Sequence, residues 1–508
     1  MLTGAGVIAF AVYGYTLAPT ITWHHHGSDS GDLATAVAVG GVPHPSGYPT
    51  YLLLGDLFQL LPFADVAYRL NLLSATCAAL TVVLVGLIIQ QVASTVLPQQ
   101  PAQSAAFSDT LPILWFCAVS AALLLAFSAS FWSQAIIAEV YALNVFLAAL
   151  LLYLALRVRP ANQVWLAPAV FGLLGLSLGN HLSICFLGPA LIGSLKVRWN
   201  RQIGLAIPLA FFAGLAVYGI IPLRAAGLPP INWGGVADWA SFGWLVGGAP
   251  YRHFLFALPP AYLPMRVIGA LQLLFQTFQW WGGLVGVVGW QFLVRCNPRL
   301  AYGSLASFGL FAAYAIGYNT TDSLVYLLPA LLIFTLWLGW GLYRLSLLGQ
   351  LFLLEKWGYS VKHVGWTLLL FPLMSLVLNF SGQNLRRDLE AYNYAQETLQ
   401  QVETGGLIIA DNDPQTFALW YGRYGLQWRP DVAVVNSNLL FYSWYRQTLH
   451  RHHPQLRLAD EQGQPLIELS SFVKYNLATG PLYLASLQAP QLIGYQLEPV
   501  GPVWRVRN

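Results

Sequence analysis

The chain of 508 residues is 57% hydrophobic and only 9% charged. Soluble domains carry about 25% charged residues, so most of this protein's surface cannot face water. The formal net charge of +4 is too small for so long a chain to indicate a nucleic-acid partner. The composition therefore predicts a polytopic membrane protein that binds no nucleic acid.

Apolar segments recur along the first three quarters of the chain. A helix needs about 20 residues to cross a hydrocarbon core of about 30 Å. Eleven segments qualify as candidate spans, near residues 4–20, 68–92, 111–129, 139–156, 163–179, 181–195, 203–222, 266–294, 300–317, 323–345 and 363–380. The pair around Asn180 and His181 is equally interpreted as one broken helix. No Lys or Arg precedes the first segment, so we expect a membrane span there rather than a cleaved signal peptide.

Basic residues distinguish the two sides of the membrane. With a cytoplasmic N-terminus, the inner loops hold ten Lys or Arg and the outer loops before the tail hold four. The inner residues are Arg157, Arg159, Lys196, Arg198, Arg201, Arg295, Arg299, Arg344, Lys356 and Lys362, and the outer ones are Arg69, Arg224, Arg252 and Arg266. This imbalance follows the positive-inside rule, and an odd number of spans then places the tail outside. We expect a bacterial inner membrane or an ER-like membrane.

The first outer loop, residues 21–66, holds the densest polar chemistry. Ser28 or Asp29 can cap a short helix through DLATAVAV, which Gly40 and Gly41 end, and a second helix over 50–61 lies at the interface. Asp29 and Asp32 are three residues apart and therefore share one helix face. A carboxylate pair at the outer surface suits a general base, although both side chains can also serve only to cap and solvate a helix N-terminus.

Histidines in the same loop raise the question of a metal. His24, His25, His26 and His44, with two aspartates, are residue types that ligate zinc. Three consecutive histidines cannot all point at one ion. A divalent metal is therefore an alternative that we do not favour, and no cofactor is otherwise expected.

The tail, residues 383–508, has a different composition. LIIAD at 407–411, DVAVV at 431–435 and PLYLAS at 481–486 predict buried strands, with a helix over QTFALWYGRYG. These elements indicate a small α/β domain. Asp411-Asn412-Asp413 has the DxD form with which nucleotide-sugar enzymes hold a metal. Nucleotide sugars are cytoplasmic, so we favour turn capping for this motif.

Several ordered blocks resemble a known family. They are DSGD at 29–32, HPSGYP at 44–49, SFWSQAIIAEVYALN at 130–144, GLSLGNHLS at 175–183, PLRAAGLPPINWG at 222–234 and GYNTTDSLVYLLPA at 317–330. The chain resembles the protein O-mannosyltransferase-like family of multi-span membrane proteins, within the GT-C superfamily of glycosyltransferases that use lipid-phosphate sugars. It departs from the family pattern at Asp32, where Glu is usual, and at Ser46, which replaces a proline.

The resemblance implies a mostly α, GT-C-like transmembrane bundle over 1–382 with the small α/β domain over 383–508. It implies a polyprenyl-phosphate-linked sugar, such as mannose, as donor, and a hydroxyl group of a protein, lipid or glycan as acceptor. Phosphate is a good leaving group, so one carboxylate suffices for transfer with inversion. The catalytic carboxylate is then expected in the first outer loop.

Individual residues follow from this interpretation. Asp29 is the first choice for the base and Asp32 the second. Arg224 is the first candidate for the lipid phosphate, with Arg252 and His253 as alternatives, and interfacial snorkelling is the structural explanation for each arginine. Further candidates for binding substrate are His44, Tyr48, Glu139, His181, Trp233 and Asp322. Helix capping, a buried hydrogen bond or an aromatic belt are the structural alternatives for the last four of these and for Tyr48.

Two other functions remain open. A transporter or lipid flippase needs ionisable residues deep within spans and a sign of repeated halves. The charges lie at span ends and no repeat is evident. A non-catalytic assembly or sensor protein does not need clustered carboxylates in the first outer loop. A transferase requires those carboxylates to share one cavity with a cation.

Overall fold

A computed structural model describes residues 1–94, 105–357, 361–486 and 494–507 of the chain. The start of the segment between the predicted spans 68–92 and 111–129 therefore lies partly outside the described residues. Up to residue 383, the described regular elements are all helices. The helices are α1 Leu2–Thr16, α2 Ser30–Ala38, α3 Pro49–Phe58, α4 Val66–Ser94, α5 Ala105–Ala126, α6 Ala129–Ala135, α7 Val140–Arg157, α8 Gln163–Leu178, α9 Gly188–Ser194, α10 Arg201–Leu215, α11 Ile220–Ala226, α12 Trp239–Val246, α13 Leu263–Cys296, α14 Pro298–Gly317, α15 Leu328–Trp357, α16 Val361–Leu368 and α17 Leu370–Gln383.

Fewer helices can span a membrane than the sequence predicts. In the described part of the chain, six helical segments are long and apolar enough: Val66–Ala93, Val140–Arg157, Arg201–Ala226, Pro298–Gly317, Ser323–Gly349 and Gly365–Gln383. A seventh is added if Pro112–Ala126 and Ala129–Ala135, which are bent by 69°, form one span. The bundle is confirmed, but eleven full spans are not supported.

The physical reason lies in helix length and helix breaks. Three predicted spans are apolar helices of 10–17 residues, Leu2–Thr16, Gln163–Leu178 and Leu182–Ser194. At about 1.5 Å per residue, 17 residues reach only about 26 Å, short of a core of about 30 Å. The segment predicted near 266–294 lies in α13, which is broken at Gln279, where φ is 59°. A long apolar run in the sequence does not reveal such breaks.

Small residues let the membrane helices approach closely. A Cβ atom on Gly289 of α13 would lie 1.7 Å from the carbonyl oxygen of Trp337 in α15. One on Gly341 would lie 2.0 Å from the carbonyl oxygen of Val285. The two backbones are thus in direct contact, as is common where small residues line helix interfaces in membranes.

The tail is a mixed sheet with helices. Its elements are α18 Glu390–Gln401, β1 Leu407–Ala410, α19 Asp413–Trp420, β2 Ala433–Asn436, α20 Ser443–His452, α21 Leu469–Asn476, β3 Leu482–Leu484, β4 Gln496–Val500 and β5 Val503–Arg507. The strand order is β2-β1-β3-β5-β4. β1 is parallel to β2 and β3, whereas β5 is antiparallel to β3 and β4. The three predicted strands are present. β4 and β5 were not predicted because exposed polar residues interrupt them.

The tail packs directly on the first outer loop. The indole nitrogen of Trp23 donates to the carbonyl oxygen of Pro414 at 3.0 Å. A Cβ on Gly31 in α2 would lie 2.6 Å from the carbonyl oxygen of Phe417 in α19. Buried residues of the loop, of the segment around α11 and α12, and of the tail form one continuous hydrophobic core. This contact positions the functional site, while the domain boundary at 382/383 stays a prediction.

We expect Gly31→Ala to destabilise the protein by about 1–3 kcal/mol, because the added methyl group forces α2 and α19 apart. The measurement is thermal unfolding in detergent. Gly14→Ala is the matched control, since a Cβ at Gly14 in α1 meets nothing within 4 Å. Equal unfolding temperatures for the two variants would show that α19 does not rest on α2 as described.

Candidate active site

A cavity of about 510 Å³ lies where the first outer loop, the ends of several membrane helices and the tail meet. Of the residues proposed from the sequence as the base or as ligands of the sugar or phosphate, those that line it are Asp29, His44, Tyr48, His181, Asp322 and Arg252. Those that lie outside its lining are Asp32, Glu139, Arg224, Trp233 and His253. The cavity thus brings together five of the nine primary candidates and one of the two alternative cations.

Asp29 presents its carboxylate to this cavity. It occupies the N-cap position of α2 but makes no capping hydrogen bond. Its side chain is 35% exposed, and that surface opens to the cavity. Burial raises the pKa of Asp29, while the neighbouring His44 opposes the increase. A carboxylate with a raised pKa is a better proton acceptor once ionised, so capping alone does not account for Asp29.

Asp32 lies behind His44 and is fully buried. One of its oxygens is 2.8 Å from His44 Nδ1 and accepts the His44 backbone N–H at 2.8 Å. The other accepts the indole N–H of Trp233 at 3.2 Å. Asp32 is therefore placed to orient His44 rather than to act as a second base. Trp233 holds Asp32, and its buried ring is not available to stack on a sugar.

The other edge of the His44 ring faces the cavity. His44 Nε2 is 3.4 Å from Asp29 Oδ2 and 3.0 Å from the Tyr48 hydroxyl. The ring also stacks on Phe417 of the tail, with 6.3 Å between ring centroids. The imidazole thus lies between the two carboxylates of the DSGD motif, which places three groups of the first outer loop in one chain of contacts.

The charge state of His44 leads to a prediction on pH. Burial by itself lowers the pKa of His44, but the carboxylates of Asp29, Asp32 and Asp413 outweigh it and raise the pKa to about 9. A histidine with a raised pKa stabilises the folded state fully below about pH 6.5, and this contribution is lost as the pH rises through the folded value. We expect the difference in unfolding temperature between wild type and His44→Gln to be largest near pH 6 and to shrink towards pH 10. A difference that does not change over this range would contradict a charged His44.

Arg224 has structural partners instead of a ligand. Its guanidinium forms a salt bridge with Asp56 and donates to the carbonyl oxygens of Ala36 at 3.3 Å and Gly41 at 3.2 Å. These bonds tie α11 to the end of α2 and to α3. Arg252 lines the cavity, with its Nε donating to the carbonyl oxygen of Gly247 at 3.0 Å. The guanidinium nitrogens of Arg252 make no other hydrogen bond within the described residues, so Arg252 replaces Arg224 as the candidate for a phosphate.

Glu139 is buried beside the site rather than in it. It is 2% exposed and precedes α7 without a capping hydrogen bond. Its Oε1 atom has no hydrogen-bond partner in the described part of the chain. Glu139 does not line the cavity, but its carboxylate accepts a hydrogen bond from the Val140 backbone at the start of α7, so its position supports a structural role.

A second wall of the cavity carries His181, Asp322 and several tyrosines. His181 Nδ1 accepts the backbone N–H of Ser183 at 3.2 Å, which leaves Nε2 for a ligand. Asp322 makes no capping hydrogen bond at the short helix that follows it. The tyrosines of this wall, which sequence reasoning missed, are Tyr141, Tyr314, Tyr318 and Tyr326. Polar groups and ring faces together suit the binding of a sugar.

The tail also contributes to the cavity, which was not expected. Asn412 caps α19 by accepting the backbone N–H of Gln415 at 3.0 Å, as the turn-capping interpretation requires. Asp413 is not needed for the cap and lines the cavity. The available signal was the position of this motif directly after a buried parallel strand, where binding residues commonly collect.

The histidines of the first outer loop do not form one metal cluster. His44 lies between Asp29 and Asp32, whereas His24 is 3.8 Å from Glu390. His24, Asp388 and Glu390 form a separate group whose candidate ligand atoms lie within 4.8 Å of one another. Two of its three residues are exposed, and exposed acidic groups of this kind are common without a metal.

Known families match both halves of the chain. Residues 29–202 match the model described as the protein O-mannosyl-transferase TMEM260 N-terminal domain, and residues 391–456 match TMEM260-associated domain 2. Protein O-mannosyl-transferase TMEM260 of Mus musculus is 26% identical over 481 residues, covering 89% of this chain and 65% of the relative. The Dictyostelium discoideum protein of the same name is 20% identical, covering 93% of this chain and 62% of the relative. The chain thus spans somewhat less than two thirds of these relatives.

Solved structures show the same fold. ArnT from Cupriavidus metallidurans bound to undecaprenyl phosphate superposes with a TM-score of 0.57 at 12% identity, covering 98% of this chain and 96% of ArnT. The apo state of the same protein gives a TM-score of 0.55. The predicted fold, a GT-C-like helical bundle with a small α/β domain, is confirmed. So is the resemblance to the protein O-mannosyltransferase-like family.

Proposed function

We propose that this relative of the protein O-mannosyltransferase-like family is a membrane glycosyltransferase that moves a sugar from a polyprenyl-phosphate donor to a hydroxyl acceptor. The names of the relatives favour mannose as the sugar and a protein Ser or Thr as the acceptor. The ligand of the ArnT structure favours a lipid phosphate as the leaving group. We place the reaction on the non-cytoplasmic face, as the positive-inside rule predicts for the first outer loop.

One observation carries the proposal: the carboxylate of Asp29 and an available guanidinium, that of Arg252, line the same cavity. In the reaction, the Asp29 carboxylate takes the proton of the acceptor hydroxyl. The acceptor oxygen then forms a bond to the anomeric carbon while the bond from that carbon to the phosphate oxygen breaks. Attack from the face opposite the phosphate inverts the anomeric centre. The lipid phosphate leaves with the electron pair, and the guanidinium fork of Arg252 matches its oxygens.

His44 and Asp32 prepare the base. Asp29 must be ionised to accept a proton, and a protonated His44 at 3.4 Å favours the ionised form. Asp32 fixes the ring orientation by pairing with Nδ1, as buried carboxylates do for other functional histidines. The DSGD and HPSGYP blocks thus act as one unit, with Asp29 as the reacting group and the other two as positioning residues.

The tyrosine-bearing wall suits the donor sugar. Tyr141 and Tyr326 flank His181, with ring centroids 6.0 and 5.6 Å from the imidazole. Asp322 lies on the same wall and offers a hydrogen-bond acceptor to sugar hydroxyls. We place the sugar between this wall and Asp29, which leaves Arg252 for the phosphate.

The test is incubation of the purified protein with a panel of polyprenyl-phosphate sugars and a Ser/Thr peptide pool, followed by assay of the released lipid phosphate. We expect release with one donor type and a stoichiometric gain of sugar on the peptide. Absence of release with every donor would refute the proposal. Movement of a labelled donor across vesicles without cleavage would instead indicate a flippase.

A further inference from the structure

The three residues of the Asp411-Asn412-Asp413 motif have different surroundings. Asp411 accepts from the Ser486 hydroxyl at 2.7 Å and from the Asn412 amide at 3.3 Å. Asn412 caps α19. Asp413, the first residue of α19, makes no hydrogen bond or ion pair with any described residue, yet it lines the cavity. Two members of the motif are therefore structural, and the third has a free carboxylate at the candidate active site.

Contacts made by Pro414 and Phe417, which follow Asp413 in α19, hold Asp413 in position. The Pro414 carbonyl accepts from Trp23, and the Phe417 backbone rests on Gly31 without room for a side chain. The Phe417 ring stacks on His44. These contacts attach the start of α19 to the loop that carries Asp29. Asp413 is thus a fixed part of the cavity wall rather than a surface residue of an independent domain.

Asp413 lines the same cavity as Asp29, His181, Asp322 and Tyr326, but it belongs to the tail rather than to the membrane half. Burial and the Asp29 carboxylate raise the pKa of Asp413 to about 6, so Asp413 lies within electrostatic range of Asp29. Under the proposed function the lipid-linked donor enters from the membrane side, which leaves the tail side for a water-soluble acceptor. Asp413 is the one residue of the described tail that lines the cavity.

We propose that Asp413 is an acceptor-binding residue, and that its carboxylate accepts a hydrogen bond from a donor group beside the reacting hydroxyl of the acceptor peptide. This inference rests on the proposed glycosyltransferase function. A peptide backbone N–H or a neighbouring Lys side chain supplies the required donor. The tail therefore completes the site by adding acceptor selection to the chemistry of the membrane half.

The negative charge of this subsite determines which acceptor sequences it prefers. Asp29 and Asp413 face the acceptor together, and like charges repel at short range in a site of low dielectric constant. The acceptor subsite therefore favours neutral or basic sequences around the hydroxyl and disfavours an acidic residue next to it. Asp413→Asn removes one of these charges and should weaken that discrimination.

The experiment compares wild type, Asp413→Asn and Asp411→Asn, using a polyprenyl-phosphate sugar that wild type cleaves. The acceptors are capped peptides in which one Thr is flanked by Ala, Lys or Asp. Transfer to peptide and hydrolysis of the donor by water are measured together. Loss of a charge-assisted hydrogen bond corresponds to about tenfold or more, so we expect Asp413→Asn to raise the peptide KM and to lower the ratio of transfer to hydrolysis by about that factor. Asp411→Asn, the control from the same motif, should keep the wild-type ratio. Its unfolding temperature and that of Asp413→Asn verify that both variants are folded.

The outcomes separate this inference from the proposed function. An unchanged ratio and unchanged peptide KM in Asp413→Asn would overturn the role of Asp413. The role of Asp413 would also be overturned if no peptide accelerated donor cleavage above the rate with water. In that case a loss of cleavage in Asp29→Asn would still support the transferase function. If wild type cleaves no donor at all, both proposals fall. A selective gain of the Asp-flanked peptide in Asp413→Asn would support the charge preference directly.

Discussion

Asp29→Asn is expected to lower the rate of sugar transfer by about 10²–10⁴-fold, because an amide cannot take the acceptor proton. The substitution keeps the size of the side chain, and Asp29 makes no capping hydrogen bond whose loss would destabilise α2. It also removes the charge that faces His44 at 3.4 Å, so the unfolding temperature should fall, but by less than in Asp32→Asn, which alters a fully buried partner of His44. The measurement is the initial rate of lipid-phosphate release at saturating donor, together with sugar on the peptide.

Two further variants sharpen this result. Asp460→Asn, which changes an aspartate of the tail outside the cavity, should keep wild-type transfer. Asp32→Asn should lower stability by several kcal/mol, because it disturbs a fully buried partner of His44 and Trp233. Wild-type turnover in Asp29→Asn would remove Asp29 as the base. If Asp32→Asn alone lost turnover while its unfolding temperature stayed normal, Asp32 would be the base instead.

Arg252→Gln is expected to reduce kcat/KM for the lipid-phosphate donor by about 10–100-fold, since the variant loses a charged hydrogen-bond donor to the phosphate. Its unfolding temperature should change little, because Arg252 is exposed and makes a single hydrogen bond, to Gly247, within the described residues. Donor kinetics over a range of ionic strength provide the measurement.

Arg224→Gln is the matched comparison, since both arginines follow from the same sequence argument. It removes the Asp56 salt bridge and the bonds to Ala36 and Gly41, so we expect a lower unfolding temperature. The kcat/KM of the folded protein for the donor should change much less than in Arg252→Gln. A larger loss of donor kcat/KM in Arg224→Gln than in Arg252→Gln would indicate that Arg224 binds the phosphate and would refute the assignment to Arg252.

Much of the architecture follows from local properties of the chain. Apolar composition predicts the bundle, because lipid requires helices whose backbone groups are satisfied internally. Short, continuously apolar runs predict the buried strands β1, β2 and β3. The blocks DSGD and HPSGYP predict Asp29, His44 and Tyr48, which meet in the cavity because only about twenty residues of one loop separate them. These features depend on neighbours in the sequence, and the sequence alone reveals them.

Other features depend on contacts between distant segments. Whether an apolar run is one span or two short helices depends on breaks such as that at Gln279, which no run of hydrophobic residues reports. Arg224 and Arg252 are both outer-loop arginines that the sequence does not distinguish. Only the packing of α11 shows that Arg224 is bound to Asp56 and to the end of α2, whereas Arg252 lines the cavity.

The sequence by itself determined a membrane-embedded helical bundle, an α/β tail and a loop with a catalytic carboxylate candidate, because partitioning into lipid and short-range periodicity are properties of contiguous residues. Only the tertiary structure decided that Asp32 hydrogen-bonds to His44, that Trp233 donates to Asp32 and that Asp413 lines the cavity. The direction of a polar side chain is set by the segments packed around it. For Asp413, those segments lie nearly 400 residues away along the chain, at Trp23 and Gly31.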